Sequence, residues 1–144
     1  WKNRTERHNY VINQLGRSNG ETFLGEAMPL PASKAKEWLY PEIFPSREAY
    51  LEAIWPQRRK MWADLIEEHK PRYIVCFGMG PNAAWWGRYK EIFPRADFDS
   101  LAHGRIQTAR FWDNTKVYLS PFFRYKTILR SDLKAIIEHA LAIK

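Results

Sequence analysis

The sequence predicts an α/β protein, a three-layer α/β/α sandwich with a mainly parallel central sheet. Three observations carry this. Helical and extended patterns alternate along the chain in the order helix, strand, helix pair, strand, helix, strands, helix. The run Tyr73-Ile74-Val75-Cys76-Phe77 is apolar without interruption and β-prone, as in a central parallel strand covered on both faces. A glycine turn and a further helix follow it at once. The 144 residues are enough for one core, and one domain spanning 1–144 is expected.

Taken in order, Thr5 to Leu15 set Tyr10, Val11, Ile12 and Leu15 at an amphipathic helical spacing that ends at Gly16. Ser18, Asn19 and Gly20 read as a turn. Thr22, Phe23 and Leu24 form a short extended run leading into Pro29, Leu30 and Pro31, where helix cannot continue. The resulting loop leaves the C-terminal end of a strand, the place where open α/β folds bind ligands. A connector from Ala32 to Pro45 carries Trp38 and Tyr40, rings that pack down on the body. Ser46 is the N-cap of a helix through Glu48, Tyr50, Leu51 and Ile54, and Pro56 either kinks it or opens a second helix at its first position. Met61, Trp62, Leu65 and Ile66 continue the helical spacing, with Arg58, Arg59, Lys60, Glu67 and Glu68 facing water. Pro71 ends the helix. Beyond the apolar strand, Gly78-Met79-Gly80-Pro81-Asn82 make the turn and Ala83 to Phe93 the next helix. Arg105 to Trp112 and Lys116 to Leu119 are β-prone runs whose separation by Asp113 and Asn114 suits a hairpin or neighbouring strands. Ser120 to Lys126 is a loop of aromatics and bases, and Ser131 caps a last helix with Leu133, Ile136, Ile137 and Leu141 as its apolar face.

Composition narrows the function. The longest purely apolar stretches fall far short of the ~20 residues that cross a bilayer, so no membrane partner is expected. A net charge of +7 attracts polyanions, and seven Trp, seven Tyr and eight Phe beside Arg and Lys suit base stacking and backbone contact, although most of those rings belong to the core. The single cysteine, Cys76, excludes an internal disulfide framework and a multi-cysteine zinc site, and fits a reducing, cytoplasmic setting, on the nucleoid in a prokaryote. An opening on Trp1 rather than Met reads as a processed or truncated piece. Among His8, His69, His103 and His139, none stands at metal spacing with another ligand, so no metal and no organic cofactor is expected. His69 and His139 lie near helix C-termini, where a positive charge is favourable. His103, in Ala102-His103-Gly104-Arg105, is the one histidine in a loop beside glycine and arginine, a setting for a general acid or charge stabiliser. Gly78, Gly80 and Asn82 lie in a strand–turn–helix whose backbone N–H groups could cradle phosphate, although the glycines equally serve backbone geometry and match neither the P-loop nor the dinucleotide fingerprint.

Three segments in order resemble the uracil-DNA glycosylase superfamily, especially its smaller and more divergent branches. Phe23-Leu24-Gly25-Glu26-Ala27-Met28-Pro29-Leu30-Pro31 is similar to the strand and loop ending in the Asn that reads uracil. Pro71-Arg72-Tyr73-Ile74-Val75-Cys76-Phe77-Gly78 is similar to the buried strand and glycine turn after a long helix. Val117-Tyr118-Leu119-Ser120-Pro121-Phe122 stands where the family has a strand ending in His-Pro-Ser, before a last helix. The resemblance covers roughly residues 21 to 143. It implies a DNA-binding protein that hydrolyses the N-glycosidic bond of a damaged base flipped from the stack.

The departures are chemical. Glu26 replaces the Asn, the His-Pro-Ser position holds Ser120 and Pro121 without histidine, and the family's first, Gly-rich and Pro-containing motif has no counterpart before Thr22. In the pocket the resemblance implies, Glu26, His103 and Ser120 are the candidate catalytic residues, and Phe23, Met28, Pro29 and Leu30 line the base. A Glu26 acceptor favours bases that present amino groups over uracil; the alternative is a solvated loop glutamate. Ser120 donates to a base or phosphate, or else turns the chain before Pro121. Phe122, Phe123 and Tyr125 sit where the superfamily wedges the duplex, with Arg124 and Lys126 on its phosphates, unless a ring anchors the loop to the core. Gly78, Gly80, Asn82, Pro121, Phe122, Arg124, Tyr125 and Lys126 together make the expected contact with damaged or single-stranded DNA. The rival readings are an inactive nucleic-acid-binding module of the same fold and an enzyme acting on a free nucleoside or nucleotide.

Overall fold

The structure, a computed structural model, describes residues 21–30, 37–78, 84–112, 114–121 and 128–142, with Asn9 and Asn13. The helix expected over Thr5 to Leu15 and the turn after it lie outside the described residues. Two compact units divide the chain, Trp1–Trp55 and Pro56–Lys144. The regular elements are α1 (Arg47–His69), β1 (Tyr73–Gly78), α2 (Ala84–Ile92), β2 (Asp99–Leu101), β3 (Ile106–Phe111), β4 (Thr115–Pro121) and α3 (Arg130–Leu141).

In the first unit the strand expected at Thr22–Leu24 does not form. Phe23 is 77% exposed, and no sheet ladder among the described residues includes the run, so neither side-chain burial nor strand pairing holds it extended. The connector's rings do pack: Trp38 lies 5.5 Å from Tyr40 and 5.4 Å from Tyr50, and Phe44 lies 5.2 Å from Tyr50. Their polar atoms are used as well. Trp38 Nε1 donates to the Phe44 carbonyl at 2.7 Å, and the Tyr50 hydroxyl accepts from Leu30 N–H at 3.0 Å. Ser46 caps α1 as its position predicts, its Oγ accepting from Ala49 N–H at 3.1 Å.

Pro56 neither ends α1 nor starts a new helix, since α1 is assigned as one helix from Arg47 to His69 with Pro56 inside it. The helix stops at Lys70, whose φ of 42° is the left-handed cap geometry usually given to glycine, with Lys70 N–H donating to Ile66 O at 2.9 Å. Pro71 then prevents continuation.

The second unit holds a four-stranded mixed sheet in the order β1-β4-β3-β2. Only β1 and β4 are parallel; β4–β3 and β3–β2 are antiparallel, so the described sheet is mostly antiparallel rather than mainly parallel. The two runs separated by Asp113 and Asn114 form a hairpin, and the short β2, absent from the sequence reading, adds a second. Turn-length connections permit only antiparallel neighbours, which is why these three strands cannot be parallel.

The central strand is also not the one its sequence favours. The apolar β1 lies at the end of the described order with Tyr73 and Val75 exposed, whereas β4 is buried along its whole length. Lys116, Tyr118 and Ser120 alternate with Val117 and Leu119 in β4, a half-buried pattern by sequence. Burial is tolerated because those polar atoms are satisfied. Lys116 Nζ donates to the His139 and Ala140 carbonyls at 3.1 and 2.9 Å, and the Tyr118 hydroxyl meets His139 Nδ1 at 3.1 Å.

These bonds lay α3 along one face of the sheet and turn its polar side inward. Asp132 and His139 face the sheet, and of the apolar face read from the sequence Leu133, Ile137 and Leu141 are exposed while Ile136 is half-buried. Ser131 is not the cap. The N-cap is Leu129, whose N–H donates to Asp132 Oδ2 at 2.9 Å. His139 does not carry the helix-end charge either: burial, with Lys116 nearby, holds its imidazole below the ordinary 6.5, Asp99 opposing weakly. Lys116 is the cation at that helix terminus.

A depressed histidine value has a pH consequence. Between the folded and unfolded values the unfolded chain binds more protons, so stability falls as pH drops below about 6.5. His139→Gln should flatten that limb in urea midpoints measured from pH 7.5 to about 5, and an unaltered slope would assign it elsewhere.

Candidate nucleic-acid interface

The parallel register sets Gly78 beside Pro121 and Phe77 beside Ser120. Adjacent parallel strands therefore end together, and the chain leaves the sheet at one rim toward both the 79–83 and the 122–127 segments. The antiparallel register adds a third piece. Gln107 pairs with Leu119 and Leu101 with Ile106, which puts the turn at 102–105 on that same rim.

That turn explains its own sequence. Arg105 N–H donates to Ala102 O at 3.2 Å, and the central His103 and Gly104 have φ of 55° and 81°, both positive as a tight hairpin turn of the primed type requires. Ala102 is also left-handed at 52°. His103 is exposed at the tip.

Arg105 locks the turn to α3. Its Nε donates to both Asp132 oxygens, at 3.1 and 3.0 Å, and its Nη2 to Oδ2 at 3.0 Å. Asp132 is 1% exposed. Burial pushes its carboxyl up, but the Arg105 bonds, the Leu129 N–H and the Arg105 charge together hold it below its usual range; the same hydrogen bond raises Arg105. Sequence reading passed over this pair. The available signal was a carboxylate at the third helical position, where it can reach back to the capping N–H.

The α2 helix meets the rim through Tyr89, whose hydroxyl donates to Phe77 O at 3.1 Å. A Cβ built on Gly78 would lie 3.5 Å from Trp85 Cβ and 3.7 Å from Tyr89 Cε2, ordinary contact distances. Close packing therefore does not demand glycine there.

The expected site residues divide into three groups. Gly78, Ser120, Pro121 and His103 come to one rim. Ser120 is fully buried and its Oγ donates to the Pro121 carbonyl at 2.9 Å, while Pro121 is buried too. Glu26, Phe23, Met28, Pro29 and Leu30 belong to the first unit, where Glu26, Phe23 and Pro29 are exposed and Leu30 N–H is bonded to Tyr50. Gly80, Asn82, Phe122, Arg124, Tyr125 and Lys126 lie outside the described residues.

Burial pushes the Cys76 thiol up to about 12, which leaves it protonated at neutral pH. Among the described residues no group of three or more His, Cys, Asp or Glu is placed to hold a metal, and no helix is long and apolar enough to cross a membrane. With this geometry in hand, the chain finds no match among protein-family models, curated proteins or solved structures.

Proposed function

We propose that the protein binds DNA at the rim where β1 and β4 end, in a fold like that of the uracil-DNA glycosylase superfamily, and hydrolyses the N-glycosidic bond of a base flipped from the stack. The observation that carries the reading is the Gly78–Pro121 register, which ends β1 and β4 together immediately before the Met79-Gly80-Pro81-Asn82 and the aromatic, basic Phe122–Lys126 sequences. The net charge of +7 and the sequence Phe122-Phe123-Arg124-Tyr125-Lys126 suit a wedge flanked by phosphate contacts. Contact of α3 with one sheet face and of Trp85 and Tyr89 with Gly78 supports the finer three-layer arrangement. In this mechanism His103, exposed on the rim, stabilises charge building on the departing base.

A second reading has its own support. The Ser120 hydroxyl is buried and committed to Pro121 O, which favours a module that binds nucleic acid without cleaving it. Duplexes carrying uracil, hypoxanthine, xanthine or an alkylated base separate the two: release of base supports the enzyme, tight binding without release the module. Absence of binding to any DNA, with a free nucleoside bound instead, overturns both. Arg124→Ala should weaken duplex binding and flatten the slope of log affinity against log salt by about 0.9, one phosphate contact. An unaltered slope removes the 122–127 segment from the interface.

A further inference from the structure

We infer that the opposite end of the sheet, where β1 and β4 begin and β3 ends, is a second contact surface for nucleic acid, fitted to a single strand. The inference does not rest on the rim, with which it shares no residue.

Its first support is a cluster of cations. Arg110 stands directly across from Lys116 in the antiparallel register, Lys116 lies beside Tyr73 in the parallel one, and Lys116 N–H donates to Arg72 O at 3.0 Å. Like charges in direct cross-strand opposition cost stability. Lys116 has a structural duty, since it is 8% exposed and reaches the carbonyls that end α3. The two guanidiniums have none of that kind. Both arginines are exposed, and among the described residues neither makes an ion pair. Arg72 lies 5.4 Å over the Tyr73 ring, on the same sheet end. Burial, with the Arg110 and Arg72 charges adding to it, depresses Lys116 below its ordinary range.

The second support is Trp112 at the tip of the β3–β4 hairpin. It is 42% exposed, its ring centroid lies 4.5 Å from that of Phe111, and its φ is 54°. A left-handed conformation is strained for a bulky side chain, and here it holds an indole at the surface two residues from Arg110. Backbone phosphates on guanidiniums with an unpaired base on an exposed indole is the arrangement that single-strand binders use, whereas paired bases would not reach the ring.

Anisotropy of fluorescein-labelled oligothymidylate, titrated with the full chain across a salt series, tests this. The double variant Arg72→Gln/Arg110→Gln should bind more weakly and flatten the salt slope by about 1.4, two contacts at about 0.7 each. Trp112→Ala should lower affinity at least about fivefold, with Trp112→Phe retaining most of it and serving as the readout if the alanine variant unfolds. A double variant that melts like the parent and keeps its affinity and slope overturns the inference. So does equal competition by polyglutamate together with indifference to both Trp112 variants, which would mark a surface for acidic polymers in general. Binding that responds to Arg124→Ala alone also overturns it while leaving the rim intact, and the converse pattern removes the rim and keeps this surface.

Discussion

Phe93→Ala should lower the unfolding free energy by about 4 kcal/mol. Phe93 is 1% exposed and sits just past α2. Its N–H donates to Lys90 O, its carbonyl accepts from Ala96 N–H, and its ring lies 6.5 Å from Phe98 and 5.2 Å from Phe111, edge-on to both. Phe98 leads into β2 and Phe111 ends β3, so one ring joins the end of α2 to the β2–β3 hairpin. Truncation removes the transfer energy and leaves a cavity bounded by two rigid rings that cannot collapse into it. Urea unfolding should show a lower midpoint with an unchanged slope, and Phe93→Leu should recover part of the loss. A midpoint within experimental error of the parent would mean the site repacks freely.

Asp132→Ala should cost about 3 kcal/mol, because it strips Arg105 of a bidentate partner and Leu129 N–H of its acceptor in one step. The loss is moderated by Arg105, which is exposed enough to be rehydrated. Asp132→Asn keeps an acceptor for Leu129 N–H and should cost less. The acid limb gives a separate check. The folded carboxyl is depressed, so its contribution is complete above the ordinary 3.8 and is lost as pH falls through the folded value. The parent should therefore lose stability below about pH 4, and Asp132→Ala should lack that component; an identical acid limb in both would show the pair to be energetically idle.

How much of this was legible beforehand differs by element. Ser46 as a cap, Pro71 as a stop and the turn formers Asp113 and Asn114 act within a few residues, and each does what its local chemistry implies. Gly78, read as part of the turn, and Ser120 and Pro121, read as the start of a loop, instead complete β1 and β4, because the parallel ladder between those strands runs on through Gly78 and Pro121. What failed was reading a central, covered strand from apolar pattern: β1 is at the end of the described strand order with Tyr73 and Val75 exposed. Leu133, Ile136, Ile137 and Leu141 were taken as the buried side of α3 for the same reason, and only Ile136 among them is not exposed. Hydropathy prices each polar group as though unpaired, whereas Lys116, Tyr118, Asp132 and His139 are paired with one another's elements across the chain.

The sequence by itself determined the cap of α1 at Ser46, its stop before Pro71, the extended runs that become β1, β3 and β4, the +7 charge and the basic, aromatic residues after Pro121. Tertiary structure alone decided strand order and direction, the meeting of Gly78, Pro121 and the His103 turn at one rim, and the cations left facing each other at the opposite end. The division has a physical cause. Caps and turns are fixed by bonds spanning three or four residues, while register and polar burial depend on partners tens of residues away, which no local pattern can name.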